Sequence, residues 1–246
     1  MPAFDHDLIL KLDPADHGAL LAARIAERDA TIVANDHNRR HLRAVAKDGA
    51  GAKSATDAAA AKATSLATAT THETAFATTV AAVKAKHAAT DLVAAGEGHD
   101  IAQGAWVMES APRLSGLAPI EDHRVVLTDA QCDAFVASYR VGTRASFEAM
   151  DLRRQIEAYR QAHPALFAGP GEPPPVDPTY EALRAALDAK QQAVGDAHAA
   201  QAAVLADAFK AAGEDPGAWT YWRAEFATGE IVLGHQPQPT DQKEEG

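Results

Sequence analysis

The chain has 246 residues and a formal net charge of -11, with 23% charged and only 6% aromatic residues. This acidic balance disfavours a nucleic-acid-binding role, because phosphate contacts need clustered Lys and Arg. The single cysteine, Cys132, excludes an intramolecular disulfide and a cysteine-based zinc site. Alanine dominates the apolar residues, which favours helix over sheet.

The N-terminal segment alternates between two sets of side chains over residues 4–12, which predicts a short strand. We expect its partner in one of two later apolar clusters, residues 105–108 or 124–127. The segment lacks a basic region followed by an apolar core, so it predicts no signal peptide. Uncharged runs are too short for a membrane span. We therefore expect a cytoplasmic protein, or one within an intracellularly assembled particle.

Residues 14–96 predict two long antiparallel helices joined by a short glycine turn. Asp13 and Pro14 supply an N-cap and a first-turn proline. The glycines near residue 50 end the first helix. The second helix is expected to run from Ser54 to Gly96.

Apolar residues at three- and four-residue spacing predict a narrow, coiled-coil-like seam between these helices. A tight turn near residue 50 places Ile25 against Phe76 and Arg28 against Glu73. The opposite charges at one level favour this register, although two independent surface charges would look the same in the sequence. The predicted hairpin seam consists of Leu21, Ile25, Arg28, Ile32, Leu42, Leu66, Glu73, Phe76, Val80 and Val83.

A line of threonines runs beside this seam in the second helix, although threonine is not a favoured helix former. Its candidate interface residues are Thr64, Thr68 and Thr71, and Thr78 continues the line. The sequence leaves two explanations open, a solvated face or a close-packed helix interface. Because alanine buries little apolar area, we expect the C-terminal helices, a second copy or another protein to cover the hairpin.

Residues 97–127 are rich in glycine and proline, which predicts an extended connector between the hairpin region, 1–96, and a second helical region, 128–234. Thr128 and Gln131 form a capping-box pattern that begins a helix ending at His163.

A proline-rich spacer, residues 164–178, separates this helix from the next one, which begins at Asp177-Pro178 and ends near Gly213. If the two helices fold back on each other, Leu187 is expected to meet Ile156. The other pairs predicted by this register are Val194 with Phe147 and Leu205 with Val136.

The C-terminal region contains an aromatic segment whose candidate interface residues are Trp219, Trp222 and Phe226. Their spacing predicts a short amphipathic helix, with a strand as the alternative, and they serve either as core packing or as an interface anchor. Residues 230–233 predict a strand, and the polar residues 235–246 predict a disordered tail.

The histidines His37 and His41 have a spacing that suits metal ligands on a helix. Since no third ligand is predicted to face them, solvated surface histidines are the favoured interpretation, and a metal site is the weaker one. The basic cluster at Arg39, Arg40 and Arg43 is likewise interpreted as a solvated face. No phosphate loop or nucleophile elbow occurs, and we expect no cofactor.

These observations predict a mainly α protein with a long helical hairpin, a second pair of long helices and a minor β element. Long thin seams and the lack of catalytic motifs favour a non-enzymatic structural subunit, which oligomerises or docks onto a larger assembly such as a particle, filament or virion. The alternative is a helical-bundle enzyme or ligand-binding protein with a histidine/carboxylate site formed between distant segments.

Overall fold

A computed structural model describes residues 8–90, 94–109, 119–167 and 177–235. In these residues four long helices form two packed pairs, accompanied by two small antiparallel sheets of short strands. This confirms the predicted mainly α fold. The predictions for strand residues 4–7, for most of the proline-rich spacer and for the tail beyond His235 lie outside the described residues.

The first pair comprises α1 (Pro14–Asp48) and α2 (Lys53–Lys86). Asp13 caps α1 as predicted, since its Oδ1 accepts from the Asp16 N–H at 2.8 Å. Gly49 follows α1 with φ +86, the left-handed conformation in which glycine ends helices.

The α2 helix ends well before the predicted Gly96. Ala88 has a φ of 51, and the Ala89 N–H donates to the Lys84 carbonyl at 2.9 Å. This is the hydrogen-bond pattern of a helix C-cap, formed here around an alanine rather than the usual glycine. The stop was not predicted because alanine normally continues a helix.

The second pair comprises α3 (Asp129–Ala162) and α4 (Pro178–Ala212), which pack together across the proline-rich spacer as predicted. The capping box at Thr128 and Gln131 is present, with N–H···O distances of 2.9 and 3.2 Å. Lys190 lies 2.6 Å from Glu148. This ion pair joins α3 to α4, and the predicted apolar pairs between the two helices stay predictions.

The chain divides into two compact units, and the division falls within all four helices. Unit 1 contains residues 1–28, 72–112 and 141–197, and unit 2 contains residues 29–71, 113–140 and 198–246. Each unit thus combines segments that are far apart in the sequence, whereas the predicted regions follow the chain order.

The sheet of unit 1 has the order β1-β3-β2, with β1 at Leu8–Lys11, β2 at Gly96–Asp100 and β3 at Ala105–Glu109. The N-terminal strand therefore pairs with the first of its two predicted partners. One face of this sheet is buried with residues of α1 and α2. Its core cluster consists of Leu10, Leu20, Val83, Ala89, Trp106 and Met108.

The sheet of unit 2 has the order β4-β6-β5, with β4 at Ile120–Val126, β5 at Tyr221–Glu225 and β6 at Glu230–His235. The strand predicted at 230–233 is confirmed. The helix favoured for the aromatic segment is wrong: a single 3₁₀ turn at Pro216–Ala218 precedes β5. Ala224 pairs with Ile231 in β5·β6, so backbone pairing with β6 determines the conformation of this segment.

The predicted connector, residues 97–127, contributes to both sheets, since β2, β3 and β4 lie largely within it. In unit 2 the strands pack against α3 and α4 around the buried residues Val125, Leu127, Cys132, Phe135, Leu205, Ala208, Phe209, Ile231 and Leu233.

Candidate functional site

The predicted hairpin seam is only partly buried. Ile32 and Val83 are core residues with exposed fractions of 3% and 1%. Four further seam residues are half-buried, namely Leu21, Ile25, Phe76 and Val80.

Two leucines of the predicted seam are exposed, Leu42 at 49% and Leu66 at 56%, so the seam prediction is wrong there. In unit 2, α1 instead buries Ile32, Asp36 and Arg39, and the four-three alternation of these positions continues to Arg43 rather than to Leu42. On α2 the neighbouring Ser65 is buried in place of Leu66.

Arg28 and Glu73, which were predicted to face each other at one level of the seam, are both exposed, and their pairing stays a prediction. Arg24 takes the position over Phe76, with its guanidinium carbon 5.3 Å from the ring centroid. A cation can be held in this way by the negative face of an aromatic ring.

The predicted threonine line on α2 is exposed at Thr64, Thr68, Thr71 and Thr78. Each hydroxyl donates to the carbonyl of the residue four positions earlier, at distances between 2.8 and 3.1 Å. The hydroxyl groups are therefore satisfied by the backbone of their own helix. Each Thr also carries a methyl group. The surface that this line presents to a neighbouring molecule is therefore partly apolar.

A longer set of exposed residues along α2 recurs every three or four positions and contains no charged residue. We call it the α2 outer face. Helices that face water normally carry charged or polar residues there. The α2 outer face consists of Thr56, Ala60, Ala63, Ala67, Thr71, Thr74, Thr78, Ala81 and Ala85.

The two histidines considered as metal ligands contact the backbone of α2. His37 Nδ1 lies 3.2 Å from the Ala61 carbonyl oxygen, and His41 Nδ1 lies 3.4 Å from that of Ala55. Because a carbonyl only accepts, each Nδ1 carries the proton. Within residues 8–90, 94–109, 119–167 and 177–235, no group of three or more His, Cys, Asp and Glu is placed to hold a metal ion.

The three aromatic candidates have different environments. Phe226 packs on Tyr139 and Phe135, with ring centroids 4.8 and 6.1 Å apart, and belongs with the core of unit 2. Trp219 stacks on His123 and also packs against this core. Only Trp222, 48% exposed, is open to a partner.

A buried histidine pair in unit 1 was not singled out from the sequence. His17 is 2% exposed, and its Nε2 lies 2.8 Å from Asp151 Oδ1, while its Nδ1 lies 3.0 Å from His99 Nε2. Arg154 and Gln155 donate to the same carboxylate, at 2.9 and 2.7 Å. These contacts join α1, β2 and α3 through side chains that are remote in the sequence.

The charges of this cluster favour an ionised Asp151 carboxylate and a neutral His99 imidazole. Burial acts to raise the pKa of Asp151, but hydrogen bonds from Arg154, Gln155 and His17 outweigh it, and the pKa is lowered. Burial, and next the neighbouring His17, lower the pKa of His99 to about 4. His99 Nδ1 is buried and has no hydrogen-bond partner among the described residues. This nitrogen is closed to solvent, and the contacts of the cluster link α1, β2 and α3 within unit 1.

Unit 2 contains a different buried polar cluster around Arg39, which is 1% exposed. Its guanidinium pairs with Asp36, Asp129 and Asp133. The interpretation of these arginines as a solvated face is therefore wrong for Arg39. A buried arginine is retained where several carboxylates compensate its charge. Here Asp36 lies on α1 with Arg39, whereas Asp129 and Asp133 come from α3, which is not adjacent in sequence.

Arg43 extends this cluster to the sheet of unit 2. It donates to the carbonyls of Leu127 and Gly229, at 2.7 and 3.4 Å, and to Asp129 at 2.7 Å. The hydrogen bond from Arg43 is the largest cause of a lowered pKa at Asp129. The cluster thus fixes the turn between β5 and β6 against the start of α3.

Sequence reasoning missed both clusters because their members are far apart in the chain. The one local signal for His17 is its position three residues before Leu20, which is fully buried, on the same face of α1. Among the described residues, none of the helices is both long enough and apolar enough to traverse a bilayer. Comparison with protein-family models, curated proteins and solved structures found none that matches this chain.

Proposed function

We propose that this chain is a non-enzymatic assembly subunit that associates with further copies of itself through the α2 outer face. One observation carries the proposal, namely that nine regularly spaced positions of α2 are exposed and none is charged. The exposed Leu66 adds apolar surface to the same helix.

The chemistry of this face suits close helix packing. Alanine and back-bonded threonine have short side chains, which let a second helix approach closely, and they lose little rotamer entropy on burial. Within unit 2 the face extends from Thr56 to Thr71, which is about 22 Å at 1.5 Å per residue, and Thr74, Thr78, Ala81 and Ala85 lie on the part of α2 in unit 1.

The α4 helix provides an internal contrast. It has 35 residues and is also rich in alanine. Its exposed positions include Asp188, Gln192, Asp196 and Lys210, which are typical of a solvated face.

An uncharged exposed series at the same spacing also occurs on α4, from Ala182 to Ala206, so the contrast is one of extent. On α2 no exposed position between Asp57 and Glu73 is charged, a stretch of 15 residues, whereas the longest such stretch on α4, between Asp196 and Asp207, has 10 residues.

Light scattering on size-exclusion fractions of the full chain tests the proposal. In the double variant Ala67→Glu/Thr71→Glu, each apposed pair of α2 faces would bring four carboxylates together in an apolar contact, so we expect a smaller assembly or a monomer. The matched control is Ala199→Glu/Ala203→Glu, at exposed positions of α4. Circular dichroism should show unchanged helix content in both.

A parent chain that is monomeric at every concentration would contradict self-association. So would a parent oligomer that persists in the α2 variant.

The alternative function is a helical enzyme or ligand-binding protein with a histidine/carboxylate site. In its favour, His17, His99 and Asp151 come together from three elements of unit 1. Burial of the free His99 nitrogen argues against direct contact with a substrate. We therefore give assembly priority.

A further inference from the structure

The proton positions in the His17–His99 pair follow from its hydrogen bonds. An ionised Asp151 only accepts, so His17 Nε2 donates to it at 2.8 Å. In a neutral His17, Nδ1 is then the acceptor, and His99 Nε2 donates to it at 3.0 Å. The remaining nitrogen, His99 Nδ1, carries a lone pair and has no partner among the described residues.

The His17–His99 hydrogen bond tolerates one added proton but not two. With one added proton the pair still has a lone pair between the two facing nitrogens, so the hydrogen bond survives in either direction. With two added protons, both rings are imidazolium and N–H groups point at each other across the 3.0 Å gap. Two donors cannot form a hydrogen bond, and two like charges in a buried site repel.

We propose that the His17–His99 contact is an acid-sensitive latch, which holds β2 against α1 in unit 1 and opens when both imidazoles are protonated. This inference does not depend on the proposed function. The number of protons on the two rings determines whether the contact forms. The contact therefore forms again when either ring loses its added proton.

The charged groups around the latch come from each neighbouring element. Asp151 and Arg154 face it from α3, Arg24 from α1, and Asp100 from β2 itself. Burial, the charge that His17 carries once it is protonated, and Arg24 disfavour protonation of His99, whereas Asp100 and Asp151 favour it. The effects that disfavour protonation prevail, so His99 is neutral at neutral pH. Opening is therefore confined to acid near pH 4, the approximate pKa of its ring.

The strand that is released is an edge of its sheet. β2 pairs only with β3 in the described sheet, and its residues include two glycines, Gly96 and Gly98. Glycine-containing edge strands are weakly held by side-chain packing. Loss of the His99 contact should therefore expose β2 amides without unfolding the remainder of the unit.

Hydrogen exchange measured by mass spectrometry on the full chain tests this inference. After correction for the intrinsic pH dependence, β2 amides should exchange at least about tenfold faster near pH 4 than near pH 7. The amides of β6, in unit 2, should not show this increase. The variant His99→Gln retains an N–H donor for His17 but does not titrate, so its β2 should stay protected in acid.

The matched control is His163→Gln, which makes the same substitution at an exposed histidine of unit 1 and should open like the parent. Equal opening of β2 in folded His99→Gln and in the parent would overturn the inference, as would a parent β2 that stays protected near pH 4. If His99→Gln does not fold, NMR titration of His99 in the parent decides. A midpoint that coincides with β2 opening supports the latch, and separate midpoints reject it.

Discussion

The two units solve one packing problem with different chemistry. Each ties its sheet to its helices through a buried cation-capable side chain and carboxylates, using His17 and His99 in unit 1 but Arg39 in unit 2. Imidazole titrates near neutral pH, whereas guanidinium is charged at every pH that a folded protein meets. The difference teaches that the same topology can contain one pH-sensitive and one pH-insensitive polar core.

Each of the two clusters also lies against a glycine with a left-handed backbone conformation. Gly104 in unit 1 and Gly229 in unit 2 have φ values of +61 and +75, and each lies against its cluster. At Gly229 an added Cβ would lie 2.7 Å from Arg39 Cδ, and at Gly104 it would lie 3.0 Å from Arg154 Cδ. A left-handed glycine thus brings the chain close to the polar side chains in both units.

The largest effect is expected from removal of the central cation of unit 2. Arg39→Ala leaves the buried Asp36 with only the half-exposed Arg40 as a compensating charge, which should lower the free energy of unfolding by about 3–5 kcal/mol. Arg40→Ala removes an arginine that is 50% exposed but contacts Asp36 and Asp133 as well. This control should cost under about 1 kcal/mol in the same urea titration. Equal losses would show that burial of Arg39 is not what matters.

The next largest effect is expected from lowering the pH, which should reduce the stability of unit 1 through His99. His99 has a folded-state pKa of about 4 against an ordinary value of 6.5, so the unfolded chain takes up this proton first. The stability contribution of His99 is therefore complete above about pH 6.5 and is lost as pH falls toward 4, by at most about 3 kcal/mol. Urea unfolding of the parent and of His99→Gln at several pH values measures it. A parallel pH dependence in the two proteins would contradict the assignment.

Replacing the left-handed glycine by alanine should cost more stability in unit 2 than in unit 1. Gly229→Ala meets atoms of Arg43, Arg39 and Cys132 within 3.0 Å, so it should cost about 2–3 kcal/mol. Gly104→Ala meets only one atom, at 3.0 Å, and should cost less. Gly213→Ala, with a φ of +73 and no atom within 4 Å, isolates the backbone cost of about 1 kcal/mol. Thermal unfolding of the three variants should give that order.

The smallest expected effect is a gain. Ala88 ends α2 in unit 1 with a φ of 51, a conformation that glycine adopts without strain. Ala88→Gly should raise the free energy of unfolding by up to about 1 kcal/mol. Ala162→Gly, at the last residue of α3, should instead be neutral or destabilising in the same measurement. A loss of stability in Ala88→Gly would reject the proposed C-cap.

Features that depend on neighbouring residues were predictable from the sequence. The capping box at Thr128 and the Asp13 cap are local, and both begin helices where expected. The end of α2 was missed because it depends on a left-handed alanine that has no sequence signal. The aromatic segment was misassigned because its strand is defined by pairing with β6, which a helical spacing of three aromatics does not reveal.

The polar clusters were the hardest to foresee. His17 and Asp151 are 134 residues apart, and Arg39 and Asp129 are 90 apart. Single-sequence patterns report on spacing within one element, so contacts over such separations leave no periodic trace. The exposed position of Leu42 has the same origin, since the partners that determine burial on α1 lie partly on α3.

Labelling of Cys132 can measure how often unit 2 opens. It is the sole cysteine of the chain and is 2% exposed, and burial raises the pKa of its thiol. A thiol reagent can reach it only when the segment from Leu127 to Phe135 separates from the turn at Gly229. The rate of labelling therefore reports the opening frequency of this one unit, in the unmodified protein and even in mixtures with other proteins.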